Sequence, residues 1–163
     1  MNLEALGNLG DFLSGIAVVA SLIYLAYQVR QNTVAVRTAS RQAVVAGMRE
    51  HNRMGIEPGG ETFSETARTF PDVSQKDYVH FRARLDDLLL FFQGAHALWE
   101  AGTLDQEMYE AYLDHVASAI STPGGAKYWK IVREIYTSSV RKALDERIAK
   151  GGVRDLLIFE PSR

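Results

Sequence analysis

The chain has 163 residues and a mass of 18.2 kDa; 47% of it is hydrophobic and 10% aromatic, ample for a packed core and too apolar for a disordered chain. It has no cysteine, which excludes disulfides, thiol nucleophiles and Cys-based metal sites. Net charge is −2, but from Ile56 onward there are 13 Lys plus Arg against 17 Asp plus Glu, a balance of −4, so nucleic acid is not an expected partner.

Leu3, Leu6 and Leu9 recur three apart at the N-terminus, with Asn2 placed to cap a helix. They make either a short helix lying on a membrane surface or the first turns of a longer one. Phe12 to Val29 is a run of 18 residues without a charge, bounded by Asp11 and Arg30. As a helix it measures roughly 27 Å, near the thickness of a bilayer's hydrocarbon core, and it reads as one transmembrane helix. The competing reading is the buried central helix of a soluble bundle. Such a helix usually carries a polar edge, and this one has only Ser14, Ser21 and Gln28. A signal peptide fits less well, because no Lys or Arg precedes Arg30.

Flanking charge sets the expected orientation. Glu4 and Asp11 precede the run, whereas Arg30, Arg37, Arg41, Arg49 and Arg53 come after it with Glu50 alone opposing them. Basic flanks stay in the cytoplasm, so the N-terminus is expected outside and the large C-terminal part inside. Tyr24 and Tyr27 fall at headgroup level near the basic end. Arg30, Arg37 and Arg41, with Tyr27, are the candidate membrane-surface residues; each arginine gains about 1 kcal/mol beside anionic lipid. Along the run, Gly7, Gly10, Ser14, Ala17, Ser21, Tyr24 and Gln28 recur at alternating steps of three and four. That spacing draws one seam down a helix, small at its upper end, and makes these seven residues the candidate helix–helix interface.

From Arg30 no proline interrupts the chain until Pro58, so the helix is expected to continue to about Met54. Val36, Ala39, Ala43 and Val44 would form its inner stripe. This division makes residues 1–30 the N-terminal segment and span, 31–54 a basic juxtamembrane helix, and 55–163 a helical bundle. Gly55 to Gly60 (GIEPGG) breaks the helix. Glu61 to Phe70 is a short helix stopped by Pro71, and Ser74 with Asp77 opens a long one ending near Ala101. Tyr78, Phe81, Leu85, Leu88, Leu89, Phe92 and Trp99 form its core stripe.

Gly102 suits a left-handed C-cap, and Thr103 with Gln106 suits a capping box. So short a link implies an antiparallel hairpin, with Tyr109, Tyr112, Leu113, Val116 and Ile120 on the returning helix. Thr122-Pro123 starts the next helix, whose stripe is Tyr128, Trp129, Val132, Ile135 and Tyr136. Ser138 or Ser139 caps a last helix through Val140, Leu144 and Ile148, closed by Gly151-Gly152. The apolar tail Leu156–Phe159 packs back on the bundle or docks a partner.

Few residues suggest chemistry. His80 and His96 lie 16 residues apart on one helix, turned about 160° from each other, so they cannot share a site. No pair of Glu-x-x-His motifs of the di-iron kind occurs. His96 falls on the core stripe with Glu100 one turn later, which suits a hydrogen-bonded core histidine; with Trp99, Tyr128 and Trp129 it is also the candidate ligand pocket. Gly55 to Thr62 imitates a phosphate-binding loop but has Glu61 where lysine is needed. The pair Asp86-Asp87 points to two helix faces and is read as solvated. No cofactor, metal or catalytic residue is assigned.

Gly15 to Arg37 (GIAVVASLIYLAYQVRQNTVAVR), the stretch Arg82 to Glu110 with its Leu90-Phe91-Phe92-Gln93, Gly102-Thr103 and Glu107, and the Tyr128-Trp129 pair together resemble a widespread family of bacterial proteins. The resemblance implies a single-pass membrane protein with a small helical cytoplasmic domain. It implies no reaction and no catalytic residues.

The expected fold is all-α: one N-terminal transmembrane helix continuing into a small antiparallel helical bundle. The expected function is a non-enzymatic, membrane-anchored interaction or accessory subunit, self-associating through the seam or joining a larger membrane complex. The alternatives are a tethered sensor that binds a small ligand, haem or metal near His96, and a reader of anionic lipid through Arg30, Arg37 and Arg41.

Overall fold

The structure, a computed structural model, describes residues 3–54 and 62–152, and side chains within 7–53 and 63–152. The Asn2 cap, the side chains of Leu3 and Leu6, the Gly55–Gly60 break with Glu61, and the Leu156–Phe159 tail lie outside the described residues. Those described form six α-helices and one 3₁₀ turn, with no strand among them: α1 (Leu3–Met54), α2 (Thr62–Thr69), α3 (Gln75–Glu100), α4 (Gln106–Ser121), α5 (Pro123–Val132), the 3₁₀ turn Arg133–Ile135, and α6 (Ser138–Ala149). The fold is all-α. It divides into two compact units, Met1–Ala39 and Ser40–Arg163.

The first unit is helix α1 up to Ala39. Its described side chains are all exposed. Val36 and Ala39, expected on an inner stripe, are therefore not buried. In the second unit the last turns of α1 bury Ser40, Val44 and His51, while Ala43 is exposed. The buried face thus runs through 40, 44, 47–48 and 51, a helical period that begins after the apolar run and is rotated from the stripe expected.

Capping chemistry explains where the remaining helices start. The Ser74 hydroxyl accepts from the Asp77 backbone N–H at the head of α3, and Thr122 accepts from Gly125 N–H at the head of α5, with Pro123 at its first position. Two expected caps move. Gly102 does take φ +70°, but the N–H groups of Thr103 and Leu104 both fold back to Leu98 O, and the Thr103 hydroxyl donates there too. Thr103 is thereby part of the α3 terminus, and Asp105 caps α4 by accepting from Met108 N–H. Likewise Thr137, not Ser138 or Ser139, is extended and caps α6. Gly151 and Gly152, both at positive φ, end that helix.

Helix α4 sits at the centre of the second unit, against α3, α5 and α6, and α2 packs on both α3 and α5. The α3–α4 hairpin is antiparallel: Trp99 stacks on Tyr109 at 4.3 Å and Phe91 meets Tyr112 edge-on at 5.3 Å, so the numbers rise on one helix as they fall on the other. The core is built from Phe81, Leu85, Leu88, Leu89 and Phe92 of α3, with Val116 and Ile120 of α4, Tyr128 and Trp129 of α5, and Val140 and Leu144 of α6. Tyr78, Trp99, Tyr112 and Leu113 are half-buried at its edge. Ile135, expected in the α5 stripe, is 77% exposed, because the tighter 3₁₀ winding of Arg133–Ile135 breaks the α-helical period.

Two glycines let α5 enter so closely. A Cβ on Gly124 would lie 2.8 Å from Ala67 O, and one on Gly125 would lie 2.2 Å from Ala119 O.

Candidate functional site

Among the described residues one helix, α1, is long and apolar enough to cross a membrane, and none of its most apolar window is buried against the rest of the chain. From Phe12 to Val29 the large apolar side chains are between 51% (Ile16) and 67% (Ile23) exposed. The reading of this run as the buried central helix of a soluble bundle is thus not what the fold adopts. On the seam, no atom lies within 4 Å of where a Cβ would stand on Gly7 or Gly10. Its polar members satisfy themselves along the helix: Ser21 donates to Ala17 O at 2.8 Å, and the Gln28 amide donates to Tyr24 Oη at 2.9 Å. Ser14 is exposed like its neighbours.

Of the membrane-surface candidates, Arg30, Arg37 and Tyr27 are exposed in the first unit. Arg41 belongs to the second unit, where its Nε donates to Asp105 Oδ2 at 2.9 Å. The Met108 N–H, and then the Arg41 charge, hold the Asp105 carboxyl below the usual range. Further along α1, buried His51 Nδ1 stands 2.8 Å from Asp87 Oδ2. Asp86 accepts from Tyr128 Oη at 2.7 Å and from Arg82. Neither member of the Asp86-Asp87 pair is therefore a free solvated carboxylate. A cavity of about 600 Å³ opens beside the Arg41–Asp105 pair, lined also by Met48, Met108, Tyr112 and His115. Burial, with the nearby His51 and Arg84, lowers the His115 pKa.

The four residues grouped as a ligand pocket separate into two places. Tyr128 and Trp129 are core: the Tyr128 ring meets Phe81 and Phe70 edge-on, its phenol is raised by burial and by Asp86, and Trp129 Nε1 donates to Asp145. His96 and Trp99 instead line a second cleft, about 460 Å³, between α3, α4 and α6. There His96 Nδ1 pairs with Tyr109 Oη at 2.8 Å, and Trp99 Nε1 donates to Gln106, whose amide donates to Glu110. Glu100, Lys142, Glu146 and Lys150 complete the rim.

The His96 side chain is only 5% exposed. Its Nε2 lies 3.3 Å from Glu100 Oε1, within ion-pair distance, yet the angle does not make a hydrogen bond and Nε2 is left without a partner. A buried polar atom in that state costs about 1–3 kcal/mol. As a metal site the place offers two donors, His96 and Glu100, and no group of three His, Asp or Glu gathers among the described residues. Sequence reasoning reached His96 and Glu100 through their one-turn spacing. It missed Tyr109, Asp87 and Asp105 as partners, because those contacts join separate helices.

In comparisons with known proteins, no family model, no curated protein and no solved structure matches the chain. Function is therefore to be sought in the chemistry of the chain itself.

Proposed function

We propose that this is a single-pass membrane protein of the bacterial inner membrane, spanning with Phe12–Val29, its N-terminus outside and its helical second unit in the cytoplasm. Its role on this reading is non-enzymatic: an anchored assembly or accessory subunit that associates with a second copy through the seam of Gly7, Gly10, Ser14, Ala17, Ser21, Tyr24 and Gln28. The observation that carries the proposal is the exposure of every large apolar side chain from Phe12 to Val29, a surface far larger than water-soluble chains leave bare. In lipid the same residues each contribute a few tenths of a kcal/mol toward insertion. Small residues along one face allow two backbones to approach in a medium where apolar contact alone gives no preference.

The absence of native cysteine makes the test direct, since any introduced cysteine is unique. The protein should stay in the membrane pellet after alkaline carbonate and leave it only in detergent. Asn8→Cys should react with an impermeant maleimide from outside intact spheroplasts, and Lys150→Cys only after permeabilisation. Ser14→Cys and Ser21→Cys should cross-link into a dimer, whereas Val19→Cys, on the face opposite the seam, should not. Recovery in the soluble fraction without detergent would overturn the membrane assignment; equal cross-linking at all three positions would overturn the seam.

A second reading is favoured by one specific observation, the unpartnered Nε2 of His96 facing the α3–α4–α6 cleft: the helical unit holds a small ligand there and acts as a tethered sensor.

A further inference from the structure

We propose that the cleft between α3, α4 and α6 binds a flat heterocycle carrying a lactam edge, a ring C=O next to a ring N–H, with the carbonyl on His96 Nε2, the N–H on the Glu100 carboxylate and the ring against Trp99. The inference deepens the sensor reading and lies wholly within the second unit, so it stands whether or not α1 crosses a bilayer.

The proton inventory leads there. Burial, and after it the Glu100 charge, push the Tyr109 phenol up to about 12, so the phenol is protonated at any ordinary pH. Its oxygen lies 2.8 Å from His96 Nδ1. On the other side of the ring, the Glu100 carboxylate oxygen 3.3 Å from Nε2 favours a proton on that nitrogen. Nε2 is therefore a donor that makes no hydrogen bond, with the Glu100 carboxylate near it but out of line.

The neighbouring carboxylate decides which acceptor. Glu100 Oε1 is 3.3 Å from Nε2 and its side chain is half exposed, so it covers the ring edge yet is free to turn aside. An anionic ligand oxygen would sit against that negative charge; a neutral carbonyl would not. Once turned, the carboxylate is an acceptor one helical turn from a donor, and the complementary ligand edge presents acceptor and donor side by side. Trp99, half-buried and stacked on Tyr109 at 4.3 Å, adds a rigid aromatic surface, held in place because its Nε1 donates to Gln106 at 2.7 Å. The cleft volume of about 460 Å³ lies within the range of small-molecule sites.

The test uses the full chain in detergent micelles, titrated calorimetrically with hypoxanthine and with uracil, and in parallel with purine and pyrimidine, which keep the rings and lack the lactam edge. Saturable binding of hypoxanthine or uracil is expected, accompanied by quenching of tryptophan fluorescence, and about a hundredfold weaker for the ring without the lactam edge, the size of two lost hydrogen bonds. His96→Phe should weaken lactam binding about tenfold, the size of the one bond to the carbonyl, and leave purine or pyrimidine binding unchanged. The comparison of ligands on the unaltered protein holds even if that variant misfolds. No saturable binding of either lactam at millimolar concentration, or equal binding of purine and hypoxanthine, would overturn the proposal.

Discussion

Gly94 and Gly125 both lie within helices, and the surroundings of each predict opposite outcomes for the same substitution. At Gly94, on the exposed side of α3, nothing stands within 4 Å of an added Cβ. Gly94→Ala should raise stability by about 0.5–1 kcal/mol, the helix-propensity difference. At Gly125 the added atom would meet Ala119 O at 2.2 Å and Thr122 Oγ1 at 2.7 Å. Backbone cannot yield as a flexible side chain does, and Gly125→Ala should cost about 3 kcal/mol. Chemical denaturation of the two variants beside the parent chain checks both signs. His115 gives the residue-scale pH dependence. Its folded-state pKa is lowered by burial, then by His51 and Arg84, below the unfolded value near about 6.5. Its contribution to stability is thus fully present above about pH 6.5 and is lost as pH falls through the lowered folded value. His51 of α1 and Arg84 of α3 are the charged groups that act on it, and Asp87 of α3 pairs with His51. Melting temperature should drop from pH 7 to pH 5, and His115→Gln should flatten that slope.

At the scale of the helix, the sequence is legible wherever structure depends on neighbours along the chain. The Ser74 and Thr122 caps, the positive-φ Gly102 and the buried stripe of α3 are all local, and each can be read from spacing and residue type. The capping box at Thr103 fails because a left-handed glycine is succeeded by two residues still bonded to Leu98 O, an extension that residue type does not announce. Asp105, which reads in sequence only as a charge, is the cap. Asp105→Ala should therefore cost about 1–2 kcal/mol, since it removes both the Met108 N–H acceptor and the Arg41 partner. Thr103→Ala should weaken the end of α3 and leave the start of α4 intact, a difference that amide hydrogen exchange at Met108 resolves. The candidate pocket divides for the complementary reason. His96, Trp99, Tyr128 and Trp129 share a composition, but Tyr128 is drawn to Asp86 on α3 and Trp129 to Asp145 on α6. Which aromatic faces a cleft is decided by helix–helix packing, and a single chain's periodicity carries no information on that.

For the whole molecule, the decisive quantity is where the apolar surface of Phe12–Val29 is satisfied. Two explanations make different demands on Val19, which is 56% exposed at the middle of the run. If lipid covers it, a charge there meets the hydrocarbon core and costs about 2.5–3.5 kcal/mol at the helix centre. That is comparable to the summed advantage of the run, in which nine strongly apolar residues contribute a few tenths of a kcal/mol each. Val19→Lys should therefore move most of the protein out of the carbonate-resistant membrane fraction. If instead the exposed run met only water, the same lysine would be tolerated or would improve solubility, with no change in fractionation. The unfolding of the second unit supplies the control. None of the apolar window is buried against the chain, so Val19→Lys should leave the denaturation midpoint of the 40–163 unit where it was, within about 0.5 kcal/mol. A variant that lost its membrane fraction together with the stability of that unit would show that the run packs on the protein itself, and the spanning assignment would fall with it.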